Sequence, residues 1–380
     1  MSQLKVNGIR HTGASSDAVT LASDGTCTAK ITNNLSNRNF VINGDMRINQ
    51  KGSSFTATGD EYTLDRFRHS HGSSFNFDTT TTQESSGPDG FGNSLKITPD
   101  SVVTPSGGEN GIIEHYIEGQ NVQGLAFGTS SAKSVTVSFY AKSAATNAND
   151  QYTVWLQFYN SAGNRFIQNK AFTVTASWQR FSFTFTGNTS ENIRNTNDIG
   201  LRLGLILASG PDDITSAKTS WEDSNFWRAV TGQSNFMDNT SNEFHLSGVQ
   251  IEAGDVATDF EHRSYGDELA RCQRYFHIVG DTVNRTSFAT VVAHDSSATF
   301  GTAFFPVQMR TTPSMTKDGA NSDYYITGNS GSPTITGLSS EALNRNSVTL
   351  NPSASGLTQG YGYWFNNVTT AGTISFSAEL

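Results

Sequence analysis

The amino-acid sequence predicts a mainly β protein: a central antiparallel jelly-roll sandwich, then a small C-terminal β-domain, with one short helix linking the two. Three observations carry that expectation. Strand-favouring Thr, Val, Ile, Tyr and Phe are prominent, including 25 Phe and 11 Tyr, while the strong helix formers are not abundant. Apolar and polar residues alternate with period two through several segments. Gly, Asn, Asp and Pro punctuate those segments at turn spacing.

Taken in order, residues 1–37 scatter Leu4, Val6, Ile9, Val19, Leu21 and Ile31 among Ser, Thr, Asn and Gly, too thinly to enclose a core. Val19–Ala22 and Thr26–Ala29 read as a small hairpin around Asp24-Gly25. Such a segment acquires buried surface from other chains, so it is expected to serve attachment and oligomerisation.

Residues 38–262 form the jelly roll. Val135, Val137 and Phe139 share one strand face, as do Phe181, Phe183 and Phe185, and the odd positions from Ile199 to Leu207. In the strand Gln151–Asn160, Val154, Leu156 and Phe158 point to the core. Further strands are expected at Tyr62–Arg68, Leu95–Thr98, Ile112–Glu118 and Glu243–Glu252, giving about eight to ten in a two-sheet sandwich. Thr79–Gly92 and Ser209–Asn242 read as long polar loops.

Residues 263–380 hold the linking helix and a C-terminal β-sandwich domain. Ser264-Tyr265-Gly266-Asp267 is a capping box, and Leu269, Cys272 and Phe276 follow at helical spacing as a buried stripe. Strands are expected at Ser287–Ala293, Ala298–Phe305, Asp323–Thr327, Ser347–Leu350, Gly360–Asn366 and Thr373–Phe376.

Composition narrows function. A net charge of -9 without basic clusters excludes chain-wide nucleic-acid binding, which needs Lys and Arg against phosphate. Aromatics at 11% with only 16% charged residues exclude intrinsic disorder. No stretch approaches the roughly 18 consecutive apolar residues of a membrane span, and no leader-like apolar run opens the chain, so folding in a cytosol is expected. Cys27 and Cys272 lack any CxxC or Cys/His spacing and read as unpaired thiols.

Sugar recognition by a β-sandwich uses aromatic faces against pyranose rings and amides or charges against hydroxyls. On the non-core face of the strand Gln151–Asn160 stand Trp155, Gln157 and Tyr159, with Arg202 from a neighbouring strand; loops or a neighbouring subunit are the other claimants to that face. Trp221 and Trp227 belong to an aromatic-bearing loop that either contacts glycan or packs on itself. In Gly360–Phe365 the rings alternate, Tyr361, Tyr363 and Phe365 against Trp364, so one or two need be exposed. His69-Ser70-His71 would put two imidazoles on one strand face. No GxSxG, HExxH, P-loop or CxxC pattern is present. The acidic pairs Asp212-Asp213 and Glu114/Glu118 are the carboxylates to weigh for hydrolysis, and no catalytic residue is expected.

Several blocks carry a resemblance. Asn39-Phe40-Val41-Ile42-Asn43-Gly44-Asp45-Met46-Arg47-Ile48 with Tyr62–Phe67, and Gly248–Gly254 continuing through Thr258-Asp259-Phe260-Glu261-His262-Arg263-Ser264-Tyr265-Gly266 and Glu268–Phe276, resemble bacteriophage virion proteins of the tail-fibre type. The terminal Phe376–Leu380 is similar to the same group, and Gln3–Gly25 to fibre openings of marine podoviruses. The resemblance implies a virion structural protein, a tail fibre or like appendage subunit, commonly homotrimeric, assembled in the host cytoplasm. Its jelly roll would be like a carbohydrate-binding module. Partners would be its own copies, other tail or capsid proteins met through the N-terminal segment, and a host surface glycan, with no nucleic acid and no membrane insertion. Modules of that kind often hold a structural calcium; here Met46-Arg47 and Ser247-Gly248 stand where acids would help, leaving Asp45 and Glu252 as the candidate ligands and no cofactor expected. A purely architectural capsid- or tail-associated fibre or connector is the alternative, and a host-polysaccharide depolymerase a further one.

Overall fold

Alternation along the chain becomes two facing sheets in the computed structural model, which describes residues 6–23, 27–29, 37–72, 75–223, 229–280, 286–328 and 331–380. One sheet has six strands in the order Gln179–Phe185, Val135–Ser143, Phe244–Ala253, Ser94–Pro99, Thr79–Glu84 and Ser54–Ala57. The other has seven: Glu222–Asp223, Arg165–Thr173, Gln151–Tyr159, Ile199–Ser209, Asn110–Glu118, Phe67–Gly72 and Glu61–Tyr62. All their pairings are antiparallel, and the two sheets make a jelly-roll sandwich. Val135, Val137 and Phe139 lie opposite Phe185, Phe183 and Phe181. They meet Val154, Leu156, Phe158 and the odd-numbered leucines 201–207 in one core running from Val41 to Ile251. Each fully buried side chain of this kind contributes about 1.5–3 kcal/mol.

Several elements differ from the sequence expectation. Tyr62–Arg68 is not one strand: the chain turns at Thr63–Arg66, Phe67 N–H donates to Leu64 O at 2.8 Å, and Arg66 takes a left-handed φ of 69°. Thr79–Gly92 is not all loop, because Thr79–Glu84 is a strand; its β-branched threonines put Thr79 and Thr81 inward, a pattern invisible to hydrophobic periodicity. In the helix Tyr265–Gln273, Ser264 caps Asp267 N–H as expected, but the buried positions are Glu268 and Cys272. Leu269 is half-buried, and Phe276 opens a strand instead of continuing the helix.

Beyond the helix, a three-stranded sheet (Phe276–Val279, Ile374–Ser377, Ser314–Lys317) and a six-stranded sheet follow. The six-stranded one runs Tyr324–Thr327, Gly362–Asn367, Ser287–Ala293, Thr299–Phe304, Ser347–Ser353 and Gly337–Glu341. They enclose a second core from Phe288 to Ala378. Near the start, Val19–Leu21 pairs with Cys27–Ala29, the hairpin expected from Asp24-Gly25; the turn itself lies outside the described residues. No helix among the described residues is long and apolar enough to cross a membrane.

The blocks that carry the resemblance converge in space. A Cβ on Gly44 would fall 2.1 Å from Val249 O, so only glycine lets that loop seat against the strand Phe244–Ala253. Asn43 holds the loop by donating to Ile48 O and Asp65 O at 2.9 and 3.0 Å. Arg263 donates to Val41 O at 3.0 Å and to Glu268 at 3.2 Å. Arg66, fully buried, pairs with Glu379, donates to Tyr116 O at 2.7 Å and lies 3.6 Å from the Tyr275 ring centroid. Arg310 donates to Ala378 O and Glu379 O at 2.7 and 2.8 Å. These residues interlock the sandwich, the helix and the last strand.

Candidate functional site

Period two and antiparallel register together assemble the expected face on the seven-stranded sheet. Gln157 lies opposite Arg202 and Trp155 opposite Gly204; across the next ladder Arg202 meets Tyr116 and Gly204 meets Glu114, and Arg68 lies opposite Glu114. Trp155, Gln157, Tyr159 and Arg202 are thus brought together, joined by Glu114, Tyr116 and Arg68. Tyr116 and Arg68 went unassigned in the sequence, and Glu114 was weighed only as an acid beside Glu118, because only the strand register, not spacing along the chain, makes them neighbours of Arg202.

That face is closed by a loop of the chain itself, the covered arrangement that stood beside the open sugar platform as a reading of the sequence. Trp155 is 0% exposed and packs with Ile112, Ile167, Ile206 and Ala229. Its indole lies over Gly204, where a Cβ would come within 2.1 Å of the ring. The loop after Ser209 folds over it through the paired strands Ile214–Thr215 and Ala229–Val230, pinned by Val230 N–H to Thr153 Oγ1 at 2.8 Å and Lys218 N–H to Asn169 Oδ1 at 2.7 Å.

The polar half is occupied by its own members. Arg202 donates to Glu114 at 2.5 Å, Tyr116 Oη at 2.7 Å and Tyr159 Oη at 2.8 Å. Tyr116 O–H donates to Glu114 at 2.5 Å, and Arg68 reaches the same carboxylate at 2.8 Å. Burial disfavours the Arg202 charge, yet Glu114 and the tyrosines around it hold its pKa above the ordinary arginine value. Burial and then the Glu114 charge push the Tyr116 hydroxyl far up, so it stays a donor. A sugar hydroxyl would have to displace one of these bonds, each charge-assisted and stronger than a neutral one.

The other expected residues lie elsewhere. Trp221 packs edge-on to Phe158 at 4.9 Å and Phe127 at 5.7 Å and donates to Thr186 O at 2.6 Å, a structural ring at the sandwich edge. Trp227 lies outside the described residues. Asp45 pairs with Arg47, and Glu252 accepts from Thr258 Oγ1 at 2.7 Å and Gln250 at 2.8 Å. Calcium wants six to eight oxygens; these carboxylates are held by their own donors, and the described residues contain no group of three or more His, Cys, Asp or Glu suited to a metal. Asp45 and Glu252, the candidate ligands, are therefore each engaged by donors of the chain itself. His69 is buried, its ring bonded to Gly59 O and Phe77 O at 2.9 and 2.7 Å, so it serves the fold. Glu114 and Glu118 do not stand as a free carboxylate pair, since Glu118 binds Arg274 at 2.7 Å.

An open aromatic surface exists in the last six-stranded sheet. Tyr363 and Phe365 enter the core, which turns Trp364 outward at 61% exposure. Trp364 stands in register between Thr290 and Thr327, with Val292 exposed two pairs further along and Tyr361 exposed just before the strand. Phe304, at 78%, is the most exposed ring of the strand Thr299–Phe304, which lies two strands away. The alternation through Gly360–Phe365 signalled one such ring; the strand order decided which neighbours it has.

No protein-family model and no curated protein matches this sequence. Among solved structures the chain is similar to the enzymatically active domain of tailspike protein 4 from bacteriophage CBA120, at 12% identity and TM-score 0.32 over 59% of this chain. The match spans only 23% of that tailspike chain. It is also similar to a xylan-binding domain from Paenibacillus barcinonensis (12% identity, TM-score 0.28, 56% of this chain and 92% of that one). A family 11 carbohydrate-binding module of a Clostridium thermocellum cellulase matches at 13% identity and TM-score 0.27, over 56% of this chain and 98% of that one. These likenesses assign no ligand and no activity to this chain.

Proposed function

We propose that this protein is a non-catalytic, glycan-binding attachment subunit of a bacteriophage appendage, acting as a homotrimer. The observation that carries the reading is Trp364, a large ring on the outer face of a sheet, open to solvent and in register with the exposed Thr290. An exposed indole buries the apolar face of a pyranose, while neighbouring hydroxyls take its polar edge. The virion setting rests on the resemblance of the blocks quoted above. The absence of catalysis is supported by Glu114 and Glu118, whose carboxylates are taken by Arg202, Arg68 and Arg274. Single-site contacts to sugar are weak, and several copies engaged at once make attachment effective.

The test is a binding assay of the full chain on an array of bacterial surface glycans. Trp364→Ala is expected to cut binding at least tenfold while leaving unfolding stability within about 0.5 kcal/mol, as for other surface changes. Equal binding by the variant would remove the platform, and new reducing ends from an incubated polysaccharide would make the protein a depolymerase.

Assembly is supported by the first described residues. Ile9 and Leu21 are exposed on the small sheet formed by Gly8–Ile9, Val19–Leu21 and Cys27–Ala29, and Val6 is exposed just before it. Among the described residues, that sheet shares no hydrogen bond with the chain beyond residue 37. Burying those side chains between copies would supply the surface the segment lacks alone. Light scattering on the full chain is expected to give three copies, and a chain lacking residues 1–37 fewer. Two monomeric preparations would overturn the trimer.

A further inference from the structure

A cleft of about 420 Å³ opens where the helix Tyr265–Gln273 meets the turn after Glu118 and the segment before Met309, lined by Arg271, Arg274, Arg345, Gln120, Asn121 and Gln308. The helix supplies two of the guanidinium groups because residues three apart share a face. The third comes from the loop that follows Gly337–Glu341, so the positive charge is concentrated by tertiary structure.

The arginines differ in what they have left to offer. Arg274 places Nε and Nη2 on the Glu118 carboxylate at 2.7 and 2.8 Å, and Tyr275 O–H donates to the same group at 2.6 Å. Burial opposes the Glu118 charge, but the bonds from Arg274 and Tyr275 hold its pKa below the usual carboxylate value. Arg345 is held by Met309 O at 3.0 Å and Gln308 Oε1 at 3.1 Å, through Nε and Nη2. Arg271 donates through Nη2 to Asn37 Oδ1 at 2.7 Å. Of the three, only Arg274 pairs with a carboxylate among the described residues. A chain of net charge -9 therefore keeps two guanidinium groups in one cleft that are oriented by neutral acceptors and form no ion pair among the described residues.

We infer that this cleft binds the oxyanion of an acidic saccharide, a uronic-acid carboxylate or a sugar sulfate, between Arg271 and Arg345. Planar, always-charged guanidinium groups suit carboxylate and sulfate oxygens, low-dielectric walls focus their field, and the amides of Gln120, Asn121 and Gln308 suit the ring hydroxyls. The inference rests on the glycan-binding reading but uses a different surface from Trp364.

Calorimetric titration of the full chain with oligogalacturonate, a sulfated galacto-oligosaccharide, neutral galacto-oligosaccharide and inorganic sulfate tests it, at two salt concentrations. Either acidic ligand, and which of the two, is expected to bind at least tenfold tighter than its neutral counterpart, with affinity falling as salt rises. Arg271→Gln and Arg345→Gln, both on half-buried side chains, should each weaken that binding about tenfold, and Trp364→Ala should leave it unchanged. Equal affinity for acidic and neutral ligands, or acidic binding indifferent to both arginine variants, overturns the inference while neutral binding through Trp364 stands. Sulfate bound as tightly as the saccharides overturns the saccharide assignment. Loss of neutral binding alone fells the Trp364 platform and not the cleft.

Discussion

Glu379→Ala is expected to destabilise the protein by about 3–5 kcal/mol, the range for breaking a buried ion pair from one side. Arg66 is fully buried, and Glu379 is its carboxylate partner; Lys51 reaches the same side chain at 3.2 Å. Burial opposes the Arg66 charge, and Glu379 holds its pKa above the ordinary value. With the carboxylate removed, the guanidinium keeps Tyr116 O and the face of Tyr275, which orient it without neutralising it. The strand Ile374–Ser377 also leads into Glu379, so the loss should propagate to the seam between the two cores. Chemical unfolding followed by tryptophan fluorescence measures it. Glu379→Gln retains an acceptor and should lose less, whereas Glu341→Ala, on an exposed side chain, should stay within about 0.5 kcal/mol. A loss below about 1 kcal/mol for Glu379→Ala would mean that Arg66 finds another partner and that the interlock is not held by charge.

The second large effect separates two uses of tryptophan. Trp155→Ala is expected to cost about 3–5 kcal/mol, since it empties a closed space between the sheet and the loop after Ser209. Glycan affinity per folded molecule should not change. Trp364→Ala has the opposite profile, with binding lost and stability kept. If Trp155→Ala instead lowered affinity in a chain of native stability, the face bearing Gln157, Tyr159 and Arg202 would open in solution and would be the sugar site after all.

Much of the fold was legible because strand burial writes itself as alternation. Val135, Val137 and Phe139, the odd leucines of Ile199–Ser209, and the paired rings Tyr363 and Phe365 all lie where period two places them. Ser264 likewise announced its helix start, because a cap is a local bond. The misses share a physical cause. Thr79–Glu84 hides its strand because threonine serves both the inward and the outward face, and the Arg66 turn is set by a left-handed backbone and a distant carboxylate. The helix buries Glu268 in place of Leu269 because Arg263 waits there to bind it.

The candidate site divides the same way. The sequence by itself determined the class of the chain, mainly β with one capped helix, and the facing of Trp155, Gln157 and Tyr159, because these follow from backbone geometry repeated every two residues. Tertiary structure alone decided that this face is closed, that Trp364 is open, and that Arg271, Arg274 and Arg345 share a cleft. Whether a side chain is buried depends on what the chain lays over it, and the partners come from distant parts of the sequence, for instance Glu114 against Arg202, 88 positions apart, and Arg271 near Arg345. Local pattern sets the direction of a side chain; only packing between distant segments sets whether anything can reach it.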